Sequence, residues 1–206
     1  MKLFANIVSI VFHPLLMATY GVMLALSYTY LAIYPMVVKL LLLGGVFFST
    51  ALVPGVFIFL MVKGGAAHDL ELTDRKERVV PYLIMISSNM ICLFFLYKMM
   101  MPFWLLSLMV ASIVALVVAL GINFIWKISA HLLGIGAALG AVFGICRLQH
   151  MNAWPLFILG FVCAGLVGTS RILLGRHTPM QVYAGFTLGF VSTFIASLLS
   201  YIYLFI

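Results

Sequence analysis

The sequence predicts an all-α integral membrane protein, a bundle of six to seven transmembrane helices joined by very short loops. Two observations carry this. Hydrophobic residues make up 66% of the 206 positions and charged residues only 7%, too little polar surface to coat a water-soluble globule. Charges, prolines and polar clusters also cut the chain into apolar runs near the roughly 20 residues that cross a bilayer as a helix. No stretch between these runs is long enough to bury a core of its own, so residues 1–206 read as a single transmembrane domain.

The predicted spans cover approximately 5–32, 36–62, 79–98, 102–126, 129–146, 153–169 and 179–205. Lys2 followed by an apolar stretch has the look of a secretory signal. However, no small-x-small cleavage site follows and the run continues past Leu26, which makes it the first span. The division of 79–126 into two spans rests on Lys98 and Pro102, and without it the count is six. Cys92, Cys146 and Cys163 all fall in apolar stretches, where a thiol behaves as a small hydrophobe, so neither a disulfide framework nor a metal site is indicated. The last three spans carry small residues at every fourth position: Gly136, Gly140 and Gly144, then Gly160, Ala164 and Gly168, then Gly185 and Gly189. Such stripes let helices approach closely in lipid, and these spans are expected to form the tight core.

Counting crossings places the loop 63–78, the junction 127–131 and the loop 170–178 at one membrane face, with Lys39, Lys98 and Arg147 at the other. The positive-inside rule would make the richer face cytoplasmic, but cations that serve a phosphate site do not report topology, so orientation stays open. The expected location is the cell (inner) membrane. Eleven Lys and Arg against four acids point to anionic partners, which for a membrane protein are lipid headgroups or phosphorylated lipids. Charges scattered singly among spans do not form the solvated basic face that nucleic acid needs.

Polar groups at membrane depth cost about 2.5–3.5 kcal/mol each on insertion scales, so clusters of them call for a reason. The strongest cluster is Ser170-Arg171, then Gly175-Arg176-His177-Thr178-Pro179 and Gln181. Thr178, Pro179 and Gln181 read as an N-cap, a first-turn proline and a capping box. They aim a helix N-terminus at the space beside His177 and Arg171, where an anion would bind. The second cluster, Lys127-Ile128-Ser129-Ala130-His131, opens the fifth span. A lone histidine at a span end is usually a packing residue, but a second histidine and several cations on the same face make it a catalytic candidate. The third, from Asp69 to Pro81, holds all four acids, Asp69, Glu71, Asp74 and Glu77, interleaved with Arg75, Lys76 and Arg78. Its simplest reading is a solvated juxtamembrane helix with i, i+4 ion pairs. His13-Pro14 reads as a kink outside the site, His150 as interfacial at the far face, and His68 is unassigned.

Ser170-Arg171, five residues, then His177 resembles the third signature of the type-two phosphatidic acid phosphatase superfamily, the lipid phosphate phosphatases. Ile128-Ser129-Ala130-His131 is similar to its second, Pro-Ser-Gly-His, and Arg78 with Pro81 to part of its first. The similarity covers roughly residues 70–190. The resemblance implies metal-independent hydrolysis, without a cofactor, of a phosphomonoester or diphosphate on a lipid at a membrane face. In that scheme His177 is the nucleophile that becomes transiently phosphorylated and His131 protonates the departing alkoxide. Arg171, Arg78 and the Ser129 hydroxyl hold the phosphoryl oxygens, with Lys127 and Ser170 beside them. The residues themselves agree, since spread negative charge calls for fixed cations and amide donors, and a nucleophile-plus-acid mechanism for two neutral-range bases.

There are departures. Gln181 stands where the family places an aspartate behind the nucleophile; it can accept from the ring but brings no charge to an imidazolium. Glu71 stands at the family's lysine, and Ile128 and Ala130 replace Pro and Gly. Two alternatives follow. One is a catalytically silent protein of the same fold that binds or moves lipid phosphates. The other is a magnesium-dependent prenyl or phosphatidyl transferase using Asp69, Glu71, Asp74 and Glu77, although the interleaved cations would repel the ion.

Overall fold

A computed structural model describes residues 1–66, 75–148 and 153–204. It contains seven helices long and apolar enough to cross a membrane, namely Lys2–Tyr28, Met36–Lys63, Lys76–Lys98, Phe103–Asn123, Ala130–Arg147, Trp154–Leu173 and Pro179–Ser200. The break at Lys98 and Pro102 separates the third and fourth spans as expected. The protein is therefore an all-helical, multi-pass membrane protein. Side chains such as Phe57, Phe94, Val117 and Ile158 are exposed on the outside, the arrangement lipid favours.

Two spans are interrupted. The first consists of α1 (Lys2–Val11), a 3₁₀ turn (Pro14–Leu16) and α2 (Met17–Tyr28). Pro14 supplies no backbone donor, and His13 caps the turn by accepting from Leu15 N–H at 3.4 Å, so the helix must end and restart. The second span is α3 (Met36–Phe47), a π turn (Phe48–Leu52) and α4 (Val53–Lys63), with Pro54 just beyond the turn as the residue that cannot close the regular ladder. The remaining spans are single helices: α5 (Val79–Lys98), α6 (Phe103–Asn123), α7 (Ala130–Leu148), α8 (Trp154–Leu173) and α9 (Pro179–Leu204).

The small-residue stripes do what they predict. A Cβ added at Gly136 or Gly140 would run into the Phe186 or Phe190 carbonyl of α9, and one at Gly189 into the Leu133 carbonyl of α7. The α7 and α9 backbones therefore pack in direct contact. Thr193 adds a polar tie by donating to the Ala137 carbonyl at 2.8 Å, a bond that hydrocarbon surroundings do not compete for. Gly160 of α8 receives the Leu139 side chain, and Gly168 faces Val182. Cys92 and Cys146 are buried free thiols and Cys163 is half-buried.

Candidate functional site

The start of α5, the start of α7, the end of α8 and the loop before α9 lie at one end of the bundle, as span counting requires. There Arg78, His131, Arg171, Arg176 and His177 line one cavity of about 350 Å³. Arg171 is 2% exposed and Arg78 6%. Burying guanidinium groups to that extent is costly unless an anion or a dense hydrogen-bond environment repays it.

His177 is fixed from both sides. On its N-terminal side α8 ends in a Schellman turn: Gly175 takes φ +67, Gly175 N–H bonds the Ile172 carbonyl, and Arg176 N–H bonds the Arg171 carbonyl at 3.0 Å. Glycine suits this position because it carries no Cβ penalty in the left-handed region. On its C-terminal side the capping box closes as predicted, with Gln181 N–H donating to Thr178 Oγ1 at 3.5 Å and Thr178 N–H to Gln181 Oε1 at 3.2 Å. Because a backbone N–H can only donate, Gln181 Oε1 is identified as the acceptor. It also lies 3.1 Å from His177 Nδ1. Nδ1 must then carry the ring proton, and Nε2 keeps the lone pair. Burial pushes the imidazole down from 6.5 to about 3, helped by the positive charges of Arg78, Lys127 and Arg171 and opposed by the Gln181 hydrogen bond. His177 is accordingly neutral at physiological pH, the state a nitrogen nucleophile needs.

The same bonds hold the site's walls together. Arg78 donates to the Ile128 carbonyl at 3.1 Å, and Lys127 Nζ to the Arg176 carbonyl at 2.8 Å. Arg75 reaches the Ile125 carbonyl, and Asn123 Nδ2 donates to the Arg75 carbonyl at 2.9 Å. Ser129 N–H bonds the Gln181 carbonyl at 3.2 Å, tying the start of α7 to the start of α9. Ser129 itself is fully buried and its hydroxyl accepts from Leu132 N–H at 3.5 Å, an N-cap for α7. Neither it nor Ser170, Lys127 or Gln181 is among the residues that line the cavity. Of the acidic cluster, Asp69, Glu71 and Asp74 lie outside the described residues, as do His68 and His150. Glu77 sits in a 3₁₀ turn, Lys76–Arg78, and no group of three His, Cys, Asp or Glu able to hold a metal occurs among the described residues.

One reading needs correction. His13 marks a kink, but it is not outside the site: its ring lies edge-on to His131, with centroids 5.4 Å apart, and it lines the same cavity with Asn6 and Ser9. Counting crossings put only span ends at this face and overlooked that a broken first span can bend its middle toward them. Tyr82 was also missed. It is 2% exposed, it borders the cavity, and its hydroxyl has no hydrogen-bond partner among the described residues. Its position one turn after Arg78 is the signal that could have found it.

Beside this cavity, and sharing Pro14, Leu15, Met85 and Ala130 with it, runs an apolar groove between α2, α6 and α7. It reaches Cys146, about 24 Å along α7 from Ala130 at 1.5 Å per residue.

The family model of the PAP2 superfamily matches residues 123–203. That stretch contains His131, His177, Arg171 and Gln181, and it starts after Arg78, at Asn123, the last residue of the fourth span. The match is consistent with a PAP2 superfamily member. Neither a curated protein nor a solved structure matches the chain.

Proposed function

We propose that the chain, consistent over residues 123–203 with a member of the PAP2 superfamily, is a metal-independent phosphatase that hydrolyses a phosphomonoester or diphosphate on a membrane lipid. The observation that carries this is the tautomer of His177: with Nδ1–H held by Gln181, the Nε2 lone pair is the nitrogen left to attack phosphorus. Attack forms the N–P bond as the P–O bond to the lipid breaks, while His131 gives a proton to the departing alkoxide. Arg78, Arg171 and Arg176 face the charge spread over the phosphoryl oxygens, and the Tyr82 hydroxyl is a further donor. In the second half His131 takes a proton from water as the water oxygen attacks phosphorus and the N–P bond breaks, restoring neutral His177.

The apolar groove supports a lipid as the carrier of that phosphate, because it joins the cavity at its edge and lies at membrane depth. Gln181 in place of a carboxylate favours a second reading, a silent binder or carrier of lipid phosphates. In serine proteases the comparable loss of charge behind a catalytic histidine costs about 10⁴-fold. Phosphate release from lipid phosphates by purified protein separates the two. The phosphatase reading expects release that survives EDTA, is inhibited by vanadate and vanishes in His177→Ala. Release by His177→Ala at the wild-type rate would refute the mechanism. No release by the wild type on any lipid phosphate would move the conclusion to binding or transport, and loss in chelator rescued by magnesium would favour the carboxylate loop.

A further inference from the structure

The break in the first span has a chemical product. In an unbroken helix the Ser9 carbonyl would accept from His13 N–H. Here α1 stops at Val11, and His13 N–H turns back to the Ile10 carbonyl at 3.2 Å. Pro14 offers no donor to compete for Ile10 and so favours this tightened turn. The Ser9 carbonyl is thereby released from the ladder, and it lies 3.2 Å from His131 Nε2. Ser9 is 5% exposed and His131 9%, so water does not replace this bond cheaply. A carbonyl can only accept, which puts a hydrogen on His131 Nε2 and leaves Nδ1 as the nitrogen that exchanges a proton.

We propose that the His13-Pro14 break is a positioning element of the active site: it frees the Ser9 carbonyl to hold His131 as the Nε2–H tautomer, with Nδ1 as its acid-base nitrogen. This rests on the phosphatase reading only for its catalytic consequence. The carbonyl dipole stabilises the imidazolium that His131 must be in order to act as an acid, a service carboxylates give elsewhere. His13 completes the arrangement by packing its ring edge-on against His131, which fixes the plane in which Nδ1 points. The segment lies wholly outside the residues that match the family, so this support for His131 belongs to the remainder of the chain.

Two measurements test it. Nitrogen-15 spectra of histidine-labelled protein, with His131 assigned by loss of its signal in His131→Gln and recorded at a pH where the ring is neutral, should show the proton on Nε2. They should show a mixture of tautomers in Pro14→Ala, where His13 N–H can recapture Ser9. A neutral wild-type ring protonated at Nδ1 alone would overturn the proposal whether or not the protein turns over. The second is leaving-group dependence: Pro14→Ala should lose about 10- to 100-fold on an alkyl phosphate, a share of what general acid catalysis supplies, and less than threefold on an aryl phosphate whose phenolate departs unaided. Equal losses on both substrates, or none on either, would also overturn it. Absence of phosphate release by the wild type would instead refute the phosphatase reading and leave the tautomer result to decide this one.

Discussion

Gly185 is the position where packing and chemistry can be separated by one methyl group. A Cβ there would lie 2.5 Å from the Ser129 carbonyl oxygen and 3.3 Å from its carbon, whereas ordinary contact begins at 3.4 Å. Relief therefore requires the starts of α7 and α9 to separate by 3.4 − 2.5, or 0.9 Å, because the obstacle is backbone and cannot rotate away. Overpacking of this kind costs about 1–3 kcal/mol, which a seven-span bundle survives. The catalytic cost is larger in proportion, since Ser129 is followed two residues on by His131, and Gln181, which orients His177, accepts the Ser129 N–H. Misplacing a catalytic pair by about 1 Å costs on the order of 10²-fold. Gly185→Ala should thus retain most of its thermal stability in detergent and lose roughly 100-fold in kcat on a lipid phosphate, with little change in KM. A variant as active as wild type would refute the idea that the α7–α9 contact sets the distance between the two histidines. A variant that loses activity only because it unfolds would fail the same test.

Gly175→Ala must adopt φ near +67, costing about 1–2 kcal/mol and loosening the turn that presents His177; the melting temperature and kcat should fall together, and an unchanged kcat would refute the turn's role. The pH dependence of stability follows from the neutral burial of His177. Its ring titrates near 6.5 in the unfolded chain and about 3 in the folded one, so between those values the unfolded state binds more protons and stability falls as pH falls. Melting curves of His177→Gln should show a shallower decline from pH 6.5 downward than wild type, and parallel curves would refute the assignment. Single cysteines at positions 65, 125 and 176 in a background lacking native cysteines should label from the same side of sealed vesicles, whereas opposite labelling of any one would break the site apart.

Span number and boundaries were legible because hydropathy in a bilayer is a strong, local signal: Lys98 and Pro102 mark a turn that the structure keeps. The capping box at Thr178 and Gln181 was legible for the same reason, being a pattern of near neighbours with one geometry. The gathering of Arg78, His131, Arg171 and His177 followed from parity of crossings alone. What parity could not reveal was depth. His13 lies a dozen residues into its span, and only the turn at Pro14, with α1 packed against α8, brings it to the others. Ser129 shows the opposite case. Its hydroxyl oxygen accepts from Leu132 N–H as the cap of α7, a local duty that the spacing of Ser129 and His131 does not announce, while its O–H stays a donor. Tyr82 carries no motif, and its role depends on a cavity that several distant segments enclose.

The seven spans do not meet the bilayer equally. The span that carries His131 has 56% of its 18-residue apolar stretch buried in protein, the most of the seven, while the first span, which carries Ser9 and His13, has only 22%, the least. His131 is thus mounted on the most enclosed helix, and the Ser9 carbonyl that it meets on the least enclosed one. A change in the bilayer therefore bears more directly on the helix that holds the carbonyl than on the helix that holds the imidazole. If His131 is the acid proposed above, a membrane that tilts or straightens the first span is expected to change the sensitivity to the leaving group, which then reports on the lipid environment.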